Sequence, residues 1–192
     1  MMRIIAGASK GKTLFSPTEK TRPTSDRARE GMFSSLESEF GSMNELNFLD
    51  LYSGSGAVGV EALSRGAASV YSVEQYEQTA AIAKKNFELV KGEVGKYSVI
   101  TSPAERFVTS PHVISFDIIF MDPPYEVANE VIEQLLIDIQ KNNLLKRNGI
   151  VAIERETKMK PFNWPDPFLQ EKIRSYGQGS IFYGGYSASV LP

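Results

Sequence analysis

The sequence predicts an α/β fold: a doubly wound, mostly parallel seven-stranded sheet with an antiparallel C-terminal edge hairpin, preceded by a small N-terminal β-hairpin and helix. Three observations predict it. From Asn47 onward, short apolar runs alternate with helical stretches, and parallel strands need such crossover connections. A glycine-rich turn lies between the first of these strands and its helix, where close helix-on-strand packing requires glycine. The last two strand-like runs have only Gly177-Gln178-Gly179 between them, so they must pair antiparallel.

In chain order, Arg-Ile-Ile-Ala-Gly at 3–7 and Lys-Thr-Leu-Phe at 12–15 read as two short strands around a Gly/Lys turn, followed by a polar linker from Ser16 to Thr24. Thr24 or Ser25 can cap a helix whose apolar positions Ala28, Met32, Phe33, Leu36 and Phe40 recur at helical spacing until Gly41. This helix is expected to present Arg27 and Arg29 near its start. Phe48 to Tyr52 then reads as a buried strand, Ala57 to Arg65 as a helix, Ser69 to Val73 as a strand and Tyr76 to Val90 as a helix. Tyr97 to Thr101 is a third strand, Phe116 to Met121 a fourth, Val127 to Lys141 a long helix and Ile150 to Ile153 a fifth strand. Phe168 to Tyr176 and Ser180 to Ser187 form the terminal hairpin. Residues 1–46 are thus expected to form an N-terminal hairpin-and-helix extension and residues 47–192 the main α/β domain.

The 192 residues, 42% hydrophobic and 23% charged, suit one domain with a small appendage. No apolar run approaches the roughly 18–20 residues that span a bilayer, and the stretch from Met1 to Lys12 lacks the long apolar core of a secretory signal. A cytoplasmic monomer, with no membrane partner, is expected. With no cysteine and His112 as the one histidine, a disulfide framework, a thiolate zinc site and a histidine triad are excluded, and no metal is expected. The net charge of -2 is unevenly spread: residues 1–30 carry seven basic groups against three acidic ones, a local +4 that leaves -6 elsewhere. That is the footprint of a basic lip on an acidic body, fitted to grip phosphates in one place.

Ala6-Gly-Ala-Ser-Lys-Gly-Lys-Thr13 comes one residue short of a phosphate-binding P-loop, with Ala6 in place of the first glycine. A P-loop opens a helix, whereas Thr13 to Phe15 is β-like and Pro17 follows, so a basic turn is expected instead. The strong glycine feature is Asp50-Leu-Tyr-Ser53-Gly54-Ser-Gly56-Ala-Val-Gly59, which satisfies G-x-G-x-x-G between strand and helix. Glu74 ends the second strand 20 residues after Gly54, where a carboxylate can accept both ribose hydroxyl hydrogens. Together these imply an adenosine-type ligand. Asp50 favours S-adenosylmethionine over a nicotinamide dinucleotide, because a carboxylate just before the loop repels a pyrophosphate and suits an ammonium and a sulfonium. Ser53 and Gln75 belong to this candidate set.

The second constellation is Asp122-Pro123-Pro124-Tyr125, delivered to the carboxyl end of the apolar strand Phe116 to Met121, the edge at which open α/β sheets bind ligands. Two successive prolines make the segment rigid and extended. Asp122 and the Pro123 carbonyl are acceptors suited to the two hydrogens of an amino group, and Tyr125 supplies a face for a planar ring. Elsewhere, His112 is expected to be solvated, Trp164 to pack a loop against the body, and Tyr183 and Tyr186 to stack at the edge strand.

Arg3-Ile-Ile-Ala-Gly with Lys10-Gly-Lys12, Thr21-Arg-Pro-Thr-Ser-Asp-Arg-Ala-Arg-Glu30, the Asp50 to Gly56 loop, Glu61-Ala-Leu-Ser-Arg-Gly-Ala67, Val73-Glu74 and Asp122 to Tyr125 resemble one family over nearly the whole chain. It is the RsmD-type 16S ribosomal RNA (guanine(966)-N2)-methyltransferases, within the Rossmann-like class I methyltransferases. The resemblance implies methylation of the 2-amino group of a guanine with S-adenosylmethionine, on a partly assembled small ribosomal subunit in bacterial cytoplasm. It assigns Gly54, Gly56 and Gly59 to the cofactor loop, Glu74 to the ribose and Asp122 through Tyr125 to the target amine. Arg22 and Arg27 are assigned to RNA, with Lys10 and Lys12 of the same basic arm. After the third strand the chain reads Ser102-Pro-Ala104-Glu105, where such enzymes often set an acidic or polar residue against the adenine. Either Ser102 or the Ala104 backbone could serve.

Three rivals remain at this level. Methylation of a DNA adenine or of a protein glutamine amide uses the same rim, although only about 46 residues precede the sheet, which is short for a DNA-recognition domain. A dinucleotide-dependent oxidoreductase shares the glycine loop. A silent RNA-binding module would need only the basic arm.

Overall fold

The computed structural model describes residues 2–16, 25–90 and 95–187. Helix α1 (Asp26–Phe40) is capped by Ser25, whose hydroxyl accepts the Ala28 amide at 3.1 Å, and it ends at Gly41. Then follow β1 (Asn47–Leu51), α2 (Ala57–Ser64), β2 (Ser69–Glu74), α3 (Glu77–Glu88), β3 (Lys96–Thr101), α4 (Ala104–Thr109), β4 (Phe116–Met121) and α5 (Asn129–Lys141). The chain finishes with β5 (Leu145–Glu156), β6 (Phe168–Tyr176) and β7 (Gly179–Tyr186). Among the described residues no helix is long and apolar enough to cross a membrane.

All seven strands form one sheet in the order β3-β2-β1-β4-β5-β7-β6. The first five run parallel, and β7 inserts antiparallel between β5 and the edge strand β6. Successive side chains of a strand point to opposite faces, and two cores result. Phe48, Ile118 and Phe120 pack with Met32 and Phe33 of α1, Val60 of α2 and Phe87 of α3. On the other face Leu49, Leu51, Ile119 and Met121 pack with Phe107 of α4 and Leu135, Leu136 and Ile139 of α5.

Four local differences from the sequence reading have physical causes. The N-terminal hairpin is a single antiparallel bridge, Arg3 to Thr13, because the Ile5 and Ala6 amides donate to the Glu61 carboxylate at 2.7 and 2.9 Å instead of to a strand. Arg29, expected on the surface, is 0% exposed and donates to the Arg3 carbonyl and to Asp26, with Glu61 at 3.9 Å. Burial lowers its pKa, opposed by Glu61 and Asp26. Helix α4 is additional; at six residues it is too short to show a period. Strand β5 starts at Leu145, bulges through Lys146–Gly149 against Phe116–Ile118, and so includes a polar stretch that reads as loop.

The near-P-loop segment is a docked turn with no helix after it. Its Ala8 amide donates to the Ser64 carbonyl at 2.8 Å, and the Ser64 hydroxyl donates to the Ala6 carbonyl at 2.7 Å. Gly7 is required there: with φ +81°, a Cβ would stand 1.8 Å from the Ser64 oxygen. Trp164 packs between Phe162 and Phe168. Tyr186 stacks on Phe168, whereas Tyr183 is fully buried. His112 is half-buried, its ring against Phe107 and its Nε2 at 2.6 Å from the Phe107 carbonyl, so it packs α4 more than it meets solvent.

Candidate active site

Parallel register puts the four strand-end segments of the predicted site at one edge of the sheet. Leu51 lies beside Val73 on one side and Met121 on the other, and Glu74 lies beside Thr101. The turn after β1, Glu74-Gln75 after β2, Ser102–Ala104 after β3 and Asp122–Tyr125 after β4 therefore leave from carboxyl ends of neighbouring strands. Strand β1 is also where connections diverge, to β2 on one side and β4 on the other, which opens a crevice.

The turn is built from backbone that L side chains rarely adopt. Tyr52, Gly54 and Gly56 have φ of 62°, 53° and 74°, and the Gly56 amide closes the turn onto the Ser53 carbonyl at 2.8 Å. A Cβ on Gly54 would meet nothing within 4 Å, so bare backbone faces open space there. A Cβ on Gly59 would come within 2.5 Å of the Ser72 hydroxyl and 2.9 Å of Phe87, which is why α2 can lie flat on β2 only with glycine at that position. Beneath the turn, Asp50 is 1% exposed and its Oδ2 accepts the Gly59 amide at 3.0 Å. Burial pushes its carboxyl up to about 8, against the Gly59 hydrogen bond and with the nearby Glu74 charge.

Glu74 is buried, and its two oxygens accept the Gly54 and Tyr76 amides, each at 2.9 Å. Each oxygen keeps a second lone pair. The Ser53 hydroxyl is buried with no hydrogen-bond partner. An open backbone over Gly54, an orphaned hydroxyl beside it and a carboxylate at the next strand fit an adenosine-bearing cofactor. Gln75 and Tyr76 are exposed just beyond Glu74. On β3's side, the Ser102 amide donates to the Glu74 carbonyl at 3.0 Å and its hydroxyl turns to the Pro103 carbonyl, while Ala104 is buried at the start of α4.

Asp122 is half-buried, Pro123 buried, and Pro124 and Tyr125 exposed. The Pro124 carbonyl accepts the Val127 amide at 3.0 Å. Three residues near the site were not singled out in the sequence. The Tyr52 hydroxyl donates to Glu105 at 3.0 Å, tying the glycine turn to α4, and burial with the Glu105 charge raises its pKa. Arg155 of β5 lies under the Asp122–Tyr125 rim, 2% exposed. Asn86 of α3, 0% exposed, binds both the Ser55 carbonyl and the Phe15 backbone. None of the three carries a local sequence signal: Asn86 follows Lys84-Lys85, and Arg155 stands between Glu154 and Glu156.

Of the basic residues, Lys10 and Arg27 are exposed, and the Lys12 ammonium donates to the Leu89 carbonyl at 2.7 Å, just past α3. Arg22 lies outside the described residues. A depression of about 590 Å³ sits at the amino ends of β1 to β3, lined by Asn47, Ser69 and Lys96, at the opposite sheet edge from the glycine turn.

The fold and this edge define a class I methyltransferase, the class whose methyl donor is S-adenosylmethionine. The family described as conserved hypothetical protein 95 matches residues 2–184. Ribosomal RNA small subunit methyltransferase D of Haemophilus influenzae is 34% identical over 178 residues, 92% of this chain and 89% of that one. Its counterpart in Escherichia coli K12 is 32% identical over 171 residues, covering 85% and 81%. Among solved structures, the HI0767 protein of Haemophilus influenzae superposes with a TM-score of 0.77 at 32% identity, over 96% of this chain and 98% of the other. The yhhF protein of Escherichia coli gives 0.82 at 27% identity, over 97% and 98%. The chain belongs to this family, that of the RsmD ribosomal RNA small subunit methyltransferases.

Proposed function

We propose that the protein methylates the exocyclic 2-amino group of a guanine in 16S ribosomal RNA, within a partly assembled small subunit. The observation that carries this reading is the pairing of Leu51 with Met121, which sets the glycine turn beside the Asp122–Tyr125 rim at one sheet edge. When bound, S-adenosylmethionine supplies an electrophilic methyl group on a positively charged sulfur. A guanine amine is a poor nucleophile because its lone pair is delocalised into the ring. Hydrogen bonds from its two N–H groups to Asp122 and the Pro123 carbonyl favour a pyramidal nitrogen whose lone pair is free to attack. Tyr125 stacks on the base plane, and the double proline keeps both acceptors fixed, so alignment and preorganised charge lower the barrier. The nitrogen–carbon bond forms as the carbon–sulfur bond breaks, and the amine proton is released afterwards to water. Gly54, Gly56, Ser53 and Glu74 hold the adenosine end of the cofactor in this reading, with Asp50 beneath the turn, Gln75 flanking Glu74, and Ser102 or Ala104 at the adenine. Lys10, Arg22 and Arg27 meet RNA phosphates from the N-terminal side, with Lys12 beside them. The names of the relatives support ribosomal RNA of the small subunit as substrate.

The test is incubation with labelled S-adenosylmethionine and separate pools of small subunits, large subunits, free RNA, DNA and protein, followed by nucleoside analysis. Label in 2-methylguanosine from small subunits is expected. Label in DNA adenine or in protein glutamine would overturn the reading, as would a melting temperature raised by NADH and not by S-adenosylmethionine. Asp122→Ala should abolish transfer while leaving cofactor affinity nearly intact.

A further inference from the structure

The rim after β4 has an unusual deficit. Pro123 and Pro124 bring no amide hydrogens, so this stretch offers carbonyl oxygens with few donors of its own to tie them down. One buried cation answers it from the neighbouring strand. Ile153 of β5 pairs with Met121 of β4, so Arg155, two residues on, runs alongside the rim. Its side chain reaches the carbonyls that follow Asp122: Nη2 donates to Val127 at 2.7 Å, and Nη1 makes a longer contact of 3.5 Å to Pro124. Nη2 also stands 3.4 Å from the Asn129 side-chain oxygen at the start of α5. Arg155 is 2% exposed, its Nε is buried without a partner, and Asp122 is the foremost charge acting favourably on it.

We propose that Arg155 is the positioning residue of the reaction, holding the Asp122–Tyr125 rim at the height at which the target amine meets the methyl donor; this rests on the methyl-transfer reading above. A guanidinium suits the task because it carries five donors in a planar fork and no acceptor, the complement of a segment made of acceptors. An ammonium delivers the same charge to one point and cannot span the Pro124 and Val127 oxygens together. A buried cation is also a poor choice where only stability is at stake, since apolar side chains of similar volume fill such places as well or better. With Arg155 gone, Asp122 and the Pro123 carbonyl would remain in the chain but lose their fixed height, and the amine would sit off line.

Kinetics of Arg155→Met, Arg155→Lys and Asp122→Ala on small-subunit substrate, with melting curves to confirm folding, test this. Arg155→Met should lower kcat about 100-fold, the scale of an ångström-sized misplacement, with KM for RNA and affinity for S-adenosylhomocysteine within about threefold of wild type. Arg155→Lys should recover part of the loss, remaining about tenfold down in kcat. Wild-type kcat in a folded Arg155→Met, beside an inactive Asp122→Ala, would overturn the positioning role and leave the methyl-transfer reading standing. An active Asp122→Ala would overturn that reading itself. A loss spread equally over cofactor affinity and kcat would reduce Arg155 to general scaffolding. Should Arg155→Met fail to fold, wild-type kcat in Arg155→Lys would refute the bridging geometry by itself.

Discussion

The Gly54 amide donates to Glu74 Oε2 at 2.9 Å, so the glycine turn and the carboxylate of the next strand are one bonded unit. The other oxygen of Glu74 takes the Tyr76 amide, also at 2.9 Å. A single side chain therefore sets the height of the turn after β1 and the entry of α3, and still has a second lone pair on each oxygen, which the proposed reading gives to ribose hydroxyls. Mutation at this position acts on shape and on ligand contact together.

Glu74→Gln retains one carbonyl oxygen and replaces the other acceptor with an amide donor. One of the two backbone amides then faces a donor, a loss of about 1–3 kcal/mol in the turn. Affinity for S-adenosylhomocysteine, measured by calorimetric titration, should fall at least about tenfold. Unchanged affinity would remove Glu74 from the cofactor site.

Much of this edge is legible in the amino-acid sequence. The apolar run Phe116 to Met121 is bounded on both sides by polar or proline residues, and β4 spans those same residues. Glycine spacing and the strand-end carboxylate pointed to Gly54 and Glu74 because both motifs are local in sequence. Arg155 and Asn86 are not legible, since what matters about them is partners 26 residues or more away. Glu61 did leave a trace. It is a charged residue inside Ala57–Ser64, a helix buried on every side, and a carboxylate there needs partners that only the folded N-terminal arm supplies.

Glu61 is 0% exposed and binds the Ile5 and Ala6 amides and the Arg65 Nε, the last at 2.9 Å, with the buried Arg29 at 3.9 Å. Glu61→Ala would leave the Ile5 and Ala6 amides without their acceptor and take one buried partner from Arg65 and Arg29, which keep Glu30, Glu37 and Asp26. Removing one partner of a buried ion pair costs about 3–5 kcal/mol. Urea unfolding should register a loss of that size, and limited proteolysis should cut residues 2–16 faster than in wild type. A variant as stable as wild type would show that the arm is held by its bonds to Ser64 and Asn86 and by apolar packing, without Glu61.

Asp50 carries a pH signature. Its carboxyl is pushed up to about 8 by burial in the folded chain, against about 4 when unfolded, so the folded state holds an extra proton between those values. Its contribution to stability is thus present at low pH, falls as pH rises through that window, and is level above it. Asp50→Asn keeps an oxygen for the Gly59 amide and does not titrate. The difference between variant and wild type in urea unfolding should shift in favour of the variant from about pH 5 to about pH 9. A difference that stays constant with pH would mean that Asp50 is already ionised beneath the turn.

Asn86 joins the two ends of the proposed reaction. Its Oδ1 accepts the Phe15 amide at 2.8 Å, and its Nδ2 donates to the Phe15 carbonyl at 2.9 Å and to the Ser55 carbonyl of the glycine turn at 2.8 Å. Both N–H groups and the oxygen are thus spent on linking the basic arm to that turn, inside a helix position where water does not reach. In the proposed reading, a ligand that orders the turn would also order Phe15, and RNA bound on the arm would stiffen the turn. Linkage then requires that cofactor and RNA alter each other's affinity by one common factor, typically about 5–150-fold where coupling exists. Asn86→Ala leaves three backbone groups unpaired and cuts the connection without touching either ligand. Titrating a fluorescent small-subunit RNA fragment with and without S-adenosylhomocysteine should give a factor of at least about fivefold in wild type, and a factor close to one in Asn86→Ala. Coupling that survives the substitution would mean that the arm and the cofactor turn communicate through the apolar core under α2, where Ile4, Val60 and Phe87 share one cluster.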